Sequence, residues 1–212
     1  MRRAVVKLGG STASSAEMDM WISALAGSTL PLVIVPGGGP FADQVREAQT
    51  RLAFSDMAAH AMAILAMDQF GHVILDRNES LAAARSPDDI QRLLGEDRTP
   101  VWLPSSAAIP ASEVPATWDV TSDSLAAWLT RKIGADSLLL IKQTGAFSAD
   151  DTVDSLTAGG IVDAALPTML PAGVDLYLAG PLDAVGAAGM LAAGEVPGIR
   201  ILHTASMARR AG

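Results

Sequence analysis

The chain of 212 residues contains no cysteine. That removes disulfides, thiolate metal sites, iron–sulfur clusters and cysteine nucleophiles, and it fits a reducing compartment, so a cytoplasmic location is expected. Aromatic residues make up only 4% of the chain, so any core must be assembled from Ala, Val, Leu, Ile and Met. Basic charge is also scarce. The formal charge is −8 and the pI near 4.7, which leaves no basic surface for a phosphate backbone; nucleic acid is not expected as a partner. Gly, Pro or a charged residue interrupts each apolar run before it reaches the length of a membrane span, so no membrane partner is expected either. The opening Met1-Arg2-Arg3-Ala4-Val5-Val6-Lys7 runs straight into a strand pattern, so no signal peptide is expected. What is plentiful is apolar side chain. Hydrophobic residues are 50% of the chain and charged ones 18%, the composition of a folded protein with a sizeable core. The length fits one domain spanning 1–212.

Short apolar runs alternate with helical stretches. Residues 4–8, 32–35, 101–103, 138–141, 174–178 and 199–202 read as strands. They are continuously apolar, as parallel strands covered on both faces should be. Helices are predicted over 16–26, 41–52, 56–70, 124–133, 162–170 and 182–193, with another starting at Ser86-Pro87-Asp88-Asp89. Ser55 is the expected cap of the third helix and Gly71 its stop. Ser86, with Pro in the first turn and acids after it, marks the next start. The rhythm implies an α/β fold, a mostly parallel sheet between two helical layers. The segment 104–115, rich in Pro and Ser, reads as a surface loop or a seam.

In such a sheet, ligands bind at the carboxyl ends of the strands. Four clusters fall there. Lys7-Leu8-Gly9-Gly10-Ser11-Thr12 follows the first strand and Pro36-Gly37-Gly38-Gly39-Pro40 the second. Trp118-Asp119-Val120-Thr121-Ser122-Asp123-Ser124 leads into a helix, and Lys142-Gln143-Thr144-Gly145 follows the fourth run. Glycine turns let backbone amides close on an anion. Lysines number only three, Lys7, Lys132 and Lys142, and two of them stand at strand ends beside glycine-containing loops, where an ammonium can meet a phosphate. Asp119, Thr121 and Asp123 alternate, so an extended segment would point them the same way. Gly37-Gly38-Gly39-Pro40-Phe41-Ala42 formally matches the dinucleotide fingerprint, but no acid stands at the end of a following strand to hold a ribose. The Walker A pattern is absent.

These clusters, Val6-Lys7-Leu8-Gly9-Gly10-Ser11, Val35-Pro36-Gly37-Gly38-Gly39-Pro40 and Thr121-Ser122-Asp123-Ser124-Leu125-Ala126, followed by 138–141, resemble the amino acid kinase superfamily in order and spacing. That superfamily includes acetylglutamate kinase, uridylate kinase, aspartokinase and isopentenyl phosphate kinase. Three further stretches are similar to the small kinases of methanofuran-type cofactor biosynthesis, which act on (aminomethyl)furanmethyl phosphate. They are the run from Ala61 to Gly71, the run from Trp118 to Ser124, and Val162-Asp163-Ala164-Ala165-Leu166-Pro167. The resemblance implies a three-layer αβα fold, a homodimer, and transfer of the γ-phosphoryl group of ATP, with Mg²⁺, to a phosphate or carboxylate acceptor. Lys7 would stabilise the transferring phosphoryl group and Asp123 would hold the catalytic lysines. Gly9, Gly10 and Ser11 would cradle the nucleotide phosphates, with Gln143, Thr144, Gly145, Gly180 and Pro181 flanking the nucleotide. Gly37, Gly38 and Gly39 would face the acceptor, with Asp119 and Thr121 near it.

Such chemistry needs alignment and charge neutralisation more than acid–base work, because the acceptor is already a nucleophile. The chain departs from the family pattern in two places. Gly159-Gly160-Ile161-Val162-Asp163 lacks the late lysine of many members, so either Lys142 supplies the second positive charge or Mg²⁺ carries more of the load. An acidic turn is replaced by Lys142-Gln143-Thr144-Gly145-Ala146. These departures leave open an alternative, a nucleotide-binding regulator without turnover. His60 sits in an apolar helix, where a role facing an acceptor phosphate competes with a buried, satisfied histidine. Met57, Met62 and Met67 are spaced for core or dimer packing, and the apolar stretch 58–67 leads us to expect a homodimer. His72, His203 and the Arg209-Arg210 pair belong to no constellation.

Overall fold

The structure, a computed structural model, describes residues 2–202; His203, Arg209 and Arg210 lie outside them. Among the described residues seven strands form one sheet. They are β1 (Ala4–Leu8), β2 (Leu32–Pro36), β3 (Leu81–Ala84), β4 (Thr99–Trp102), β5 (Ser137–Ile141), β6 (Asp175–Ala179) and β7 (Ile199–Ile201), in the order β3-β4-β2-β1-β5-β6-β7. The first six are parallel and β7 runs antiparallel on β6. Around them lie α1 (Glu17–Ala26), α2 (Gly39–Leu52), α3 (Asp56–Leu75), α4 (Pro87–Gly95), α5 (Ser105–Ala108), α6 (Ser122–Ile133), α7 (Val153–Ala158), α8 (Leu166–Met169) and α9 (Ala184–Ala192).

Successive side chains of a strand point to opposite faces. Val5, Val33, Leu138, Leu140 and Leu176 accordingly join Ile90, Leu93, Leu125 and Leu129 in one apolar cluster, beside α4 and α6. Val6, Leu8, Ile34, Leu139 and Ile141 join Trp21, Leu25 and Leu191 in another, beside α1 and α9. The result is the expected three-layer αβα arrangement. Lys7, two residues beyond Val5, shares the face of β1 that α6 covers.

The expected caps form: the side chain of Ser55 accepts from the Ala58 N–H and that of Ser86 from the Asp89 N–H. Gly71 does not stop its helix. α3 continues to Leu75, because a Cβ at Gly71 would lie 2.5 Å from Leu103 Cδ2 and the glycine serves close packing instead. The resulting helix of 20 residues is long and apolar enough to cross a membrane by length and composition, contrary to the expectation that no run reaches that length. Here it packs against α2, β2 and β4 with Ile64, Phe70 and Ile74 fully covered.

Other departures have local causes. The Leu-Ala-Ala-Ala run of β3 has no strand signature, since alanine favours helix; pairing with β4 makes it a strand. The expected helix 162–170 shrinks to α8, with Pro167 in its first turn. α7 begins at a reciprocal cap between Thr152 and Ser155, a serine standing where Glu or Gln would mark the box. The segment 104–115 contains α5, whose first residue Ser105 donates its N–H to Asp68 Oδ1 at 3.1 Å, and it buries Val114.

Candidate active site

The chain turns one way from β1 to reach β2 and the other way to reach β5 and β6. β1 and β5 therefore flank the switch point at which a parallel sheet opens a crevice at its carboxyl edge. Register brings the loops level: Leu8 lies beside Pro36 on one side and Ile141 on the other.

The glycines of the two turns are required by mutual contact. A Cβ on Gly37 would lie 2.2 Å from the Gly10 nitrogen, and one on Gly10 would lie 2.4 Å from the Gly39 nitrogen. Gly39 also adopts φ +55°, a conformation glycine takes without strain. Two amides of the predicted glycine turns belong to the scaffold: Gly9 N–H, expected on the nucleotide, donates to the Ile141 carbonyl at 3.2 Å, and Gly37 N–H, expected on the acceptor, to the Leu8 carbonyl at 2.8 Å. Gly10, Ser11, Gly38 and Gly39 line the adjoining cleft of about 290 Å³, and Gly9 and Gly37 do not.

At the floor of this cleft two lysines share one carboxylate. Lys7 Nζ lies 2.8 Å from Asp123 Oδ1, and Lys142 Nζ bonds to Asp123 Oδ2. All three are sequestered, with side-chain exposures of 7%, 13% and 2% for Lys7, Lys142 and Asp123. Burial alone would raise the Asp123 carboxyl; the Lys7 and Lys142 ammoniums outweigh it and hold the group at about 2. Burial and the neighbouring Lys7 charge push Lys142 down, opposed by Asp123. The cluster carries two positive charges against one buried negative charge, at the point where an anion can enter.

The string from Trp118 to Ser124 is not extended as expected. α6 begins at Ser122, so Asp123 sits in its first turn, next to Ser122 and Thr121 in the cleft wall. Asp119 is exposed and not among the residues lining the cleft; its backbone carbonyl accepts from Ala165 N–H at 3.0 Å. The hydroxyl of Thr121 donates to Asp163 Oδ1 at 2.5 Å, and Asp163 Oδ2 accepts from the N–H groups of Thr121 and Ser124 at 3.0 and 2.9 Å. Sequence reasoning met Asp163 in a resemblance-bearing stretch and as a place where a lysine was missing, and gave it no role.

On the far wall, Arg46 and Gln49 were also missed. Arg46 of α2 stacks its guanidinium 4.6 Å from the centroid of the Trp118 ring, and the Trp118 indole N–H donates to Gln49 Oε1 at 2.7 Å. Both Arg46 and Trp118 line the cleft. The i, i+3 spacing of Arg46 and Gln49 on one helix was the available signal. His60 lines it too. Its Nε2 is buried with no hydrogen-bond partner, and burial holds the ring below its usual value, opposed by a backbone hydrogen bond with Thr117.

The remaining predicted residues lie at the ends of β5 and β6. Gln143 Nε2 donates to Ser15 Oγ at 3.0 Å, and Gly180 packs so closely on Thr144 that a Cβ there would meet its carbonyl oxygen at 2.9 Å. Gly145 is exposed, and Pro181 opens the turn before α9.

On the outer side, the methionines divide. Met67 is buried, while Met57 and Met62 are exposed together with Leu65. Met62 and Leu65 border an apolar groove of about 440 Å³ between α2 and α3.

Comparison with solved structures agrees with this architecture. Uridylate kinase from Archaeoglobus fulgidus superposes with a TM-score of 0.66 over 95% of this chain and all of that one, at 19% identity. UMP kinase from Bacillus anthracis gives 0.66 over 94% and 95% of the two chains at 12% identity, and UMP kinase from Ureaplasma parvum 0.63 over 84% and 89% at 12%. The fold is the amino acid kinase fold. No protein-family model matches the sequence. A relative does: [5-(aminomethyl)furan-3-yl]methyl phosphate kinase of Methanocaldococcus jannaschii is 26% identical over 161 residues, 75% of this chain and 72% of the relative. In fold and in sequence the chain is thus similar to kinases of the amino acid kinase type.

Proposed function

We propose that this protein is a kinase of the amino acid kinase superfamily that moves the γ-phosphoryl group of ATP to a small anionic acceptor, a phosphate monoester in preference to a carboxylate. The observation that carries this reading is the pair of ammoniums, Lys7 and Lys142, gathered on buried Asp123 at the mouth of the glycine-walled cleft. An acceptor oxygen attacks the γ-phosphorus, the bond to the β–γ bridging oxygen breaks, and ADP leaves with that electron pair. No proton need move, which suits a site built from lysines and amides. Among the described residues no group of three or more acidic, His or Cys side chains gathers to hold an ion. We therefore read Mg²⁺ as arriving on the nucleotide, with MgATP as the substrate.

Gly10, Ser11 and the loops Gln143–Gly145 and Gly180–Pro181 form the nucleotide side in this reading. Gly38, Gly39, His60 and Thr121 form the acceptor side, extended by Arg46. The unpartnered His60 Nε2 and the Arg46 guanidinium favour a phosphate there. The activity of the archaeal relative points the same way, toward a furanmethyl phosphate, and the sequence resemblance extends the reading to methanofuran-type cofactor synthesis. Lys142 on Asp123 supplies the second positive charge that the missing late lysine left in question, and it favours turnover over a regulator without activity. All seven strands share one sheet, which supports a single domain, and the composition supports a cytoplasmic location.

The test is release of ADP from MgATP with [5-(aminomethyl)furan-3-yl]methyl phosphate, its product identified by mass as the diphosphate. Tight MgATP binding without ADP release from any phosphate or carboxylate acceptor would favour the regulator. The exposed Met57, Met62 and Leu65 face supports a homodimer, and a single monomeric species in sedimentation at micromolar concentration would remove it.

A further inference from the structure

We propose that Asp163 is a positioning residue that locks the first turn of α6, and with it Asp123, against the two lysines; the inference rests on the phosphoryl-transfer reading of that cluster. The geometry is specific. Three donors of the α6 start converge on one largely buried carboxylate: the Thr121 hydroxyl, the Thr121 N–H and the Ser124 N–H. They bracket Asp123 on both sides in the sequence. The segment carrying Asp163 is itself tied down one turn away, where Ala165 N–H donates to the Asp119 carbonyl at 3.0 Å.

Helix stability alone does not call for this arrangement. Thr121 is the residue before α6, and an N-terminal threonine normally accepts the N–H three residues on, here that of Ser124. In this chain the Thr121 side chain makes no such cap. Its proton goes to Asp163, and Asp163 takes the Ser124 N–H from 39 residues away. A self-capping helix start would leave its first turn free to fray with the local chain. A distant carboxylate fixes it to the body of the protein instead. Putting a second acid near Asp123 also has an electrostatic cost: burial and the Asp123 charge raise the Asp163 carboxyl, opposed by the bonds from Thr121 and Ser124. An uncharged cap would have avoided it. What the carboxylate supplies is reach and three bonds in fixed directions, and phosphoryl transfer is sensitive to placement at that scale.

Two substitutions separate shape from charge. Asp163→Asn keeps the shape, since its carbonyl oxygen can take both N–H groups while its amide donates to the Thr121 oxygen. Asp163→Glu keeps the charge and misplaces it by a methylene. The full chain, labelled at lysine Cε, is followed by NMR, where Lys7, Lys132 and Lys142 are the three reporters. Steady-state ADP release with MgATP and [5-(aminomethyl)furan-3-yl]methyl phosphate is measured in parallel. Asp163→Glu should shift the Lys7 and Lys142 signals, leave Lys132 in place, and lower kcat by about a hundredfold with the KM for MgATP little changed. Asp163→Asn should keep all three signals and stay within about tenfold in kcat. Unmoved Lys7 and Lys142 signals in Asp163→Glu would overturn the proposal, as would an Asn variant as damaged as the Glu one. A merely structural role would lower the melting temperature without moving signals or kcat. The lysine signals report even if the wild-type chain proves not to turn over, so failure of the kinase reading is seen separately.

Discussion

The two sides of the lysine cluster are built differently. The wall proposed for the acceptor is made of side chains from α2 and α3, Arg46 and His60, with Trp118 braced by Gln49. The side proposed for the nucleotide is mostly backbone and short polar side chains at the ends of β5 and β6. There Lys142 N–H donates to the Ala179 carbonyl and Gly180 N–H to Asp183 Oδ2. A nucleotide tail common to many enzymes can be held by amides that any sequence supplies. A particular acceptor has to be read by particular side chains. Under the proposed function, selectivity resides in the wall on α2 and α3, and the lysine cluster between the sides serves both.

That contrast can be broken or sharpened by a pair of variants. Lys7→Ala should cost the most, on the order of a thousandfold in kcat, with a folded chain and little change in either KM. Activity within about tenfold of wild type would take Lys7 out of the mechanism. Arg46→Ala should act on one side only, raising the acceptor KM by roughly ten- to a hundredfold while the KM for MgATP stays put, because a charge-assisted bond to an anion is lost. An equal rise in both constants would erase the distinction between the sides.

The smallest effect is on acid stability. Asp123 is held at about 2, so its contribution is fully present above the usual carboxylate value and is lost as the pH falls from about 4 toward 2. His60 is lowered by burial, so the unfolded chain takes its proton first and stability declines as pH falls below about 6.5. Asp163 is raised and works the other way, gaining on acidification. Thermal melts should therefore show a gentle decline from pH 6.5 and a steeper one below 4. Asp123→Asn should remove the steep part; a melt curve identical to wild type below pH 4 would show that this carboxylate does not govern it.

Much of this was legible along the chain. Apolar runs marked β1, β2, β5 and β6 because strands covered on both faces have to be apolar throughout. Caps at Ser55 and Ser86 marked helix starts because those signals are local. Lys7, Lys142 and the glycine turns stood out by their rarity or their spacing. Other features carried no local signal. β3 is a strand only through its neighbour β4, and Gly71 is a packing glycine only because Leu103 lies against it.

The sequence by itself determined the layer order, the strand-end loops and which residues could carry charge to the carboxyl edge, since these follow from period, propensity and composition. Only the tertiary structure decided that Lys7 and Lys142 meet on Asp123, that Asp163 rather than Thr121 caps α6, and that Arg46 leans on Trp118. Those contacts join residues 19 to 116 positions apart, and separations of that size are closed by the packing of the whole sheet, not by any segment of it.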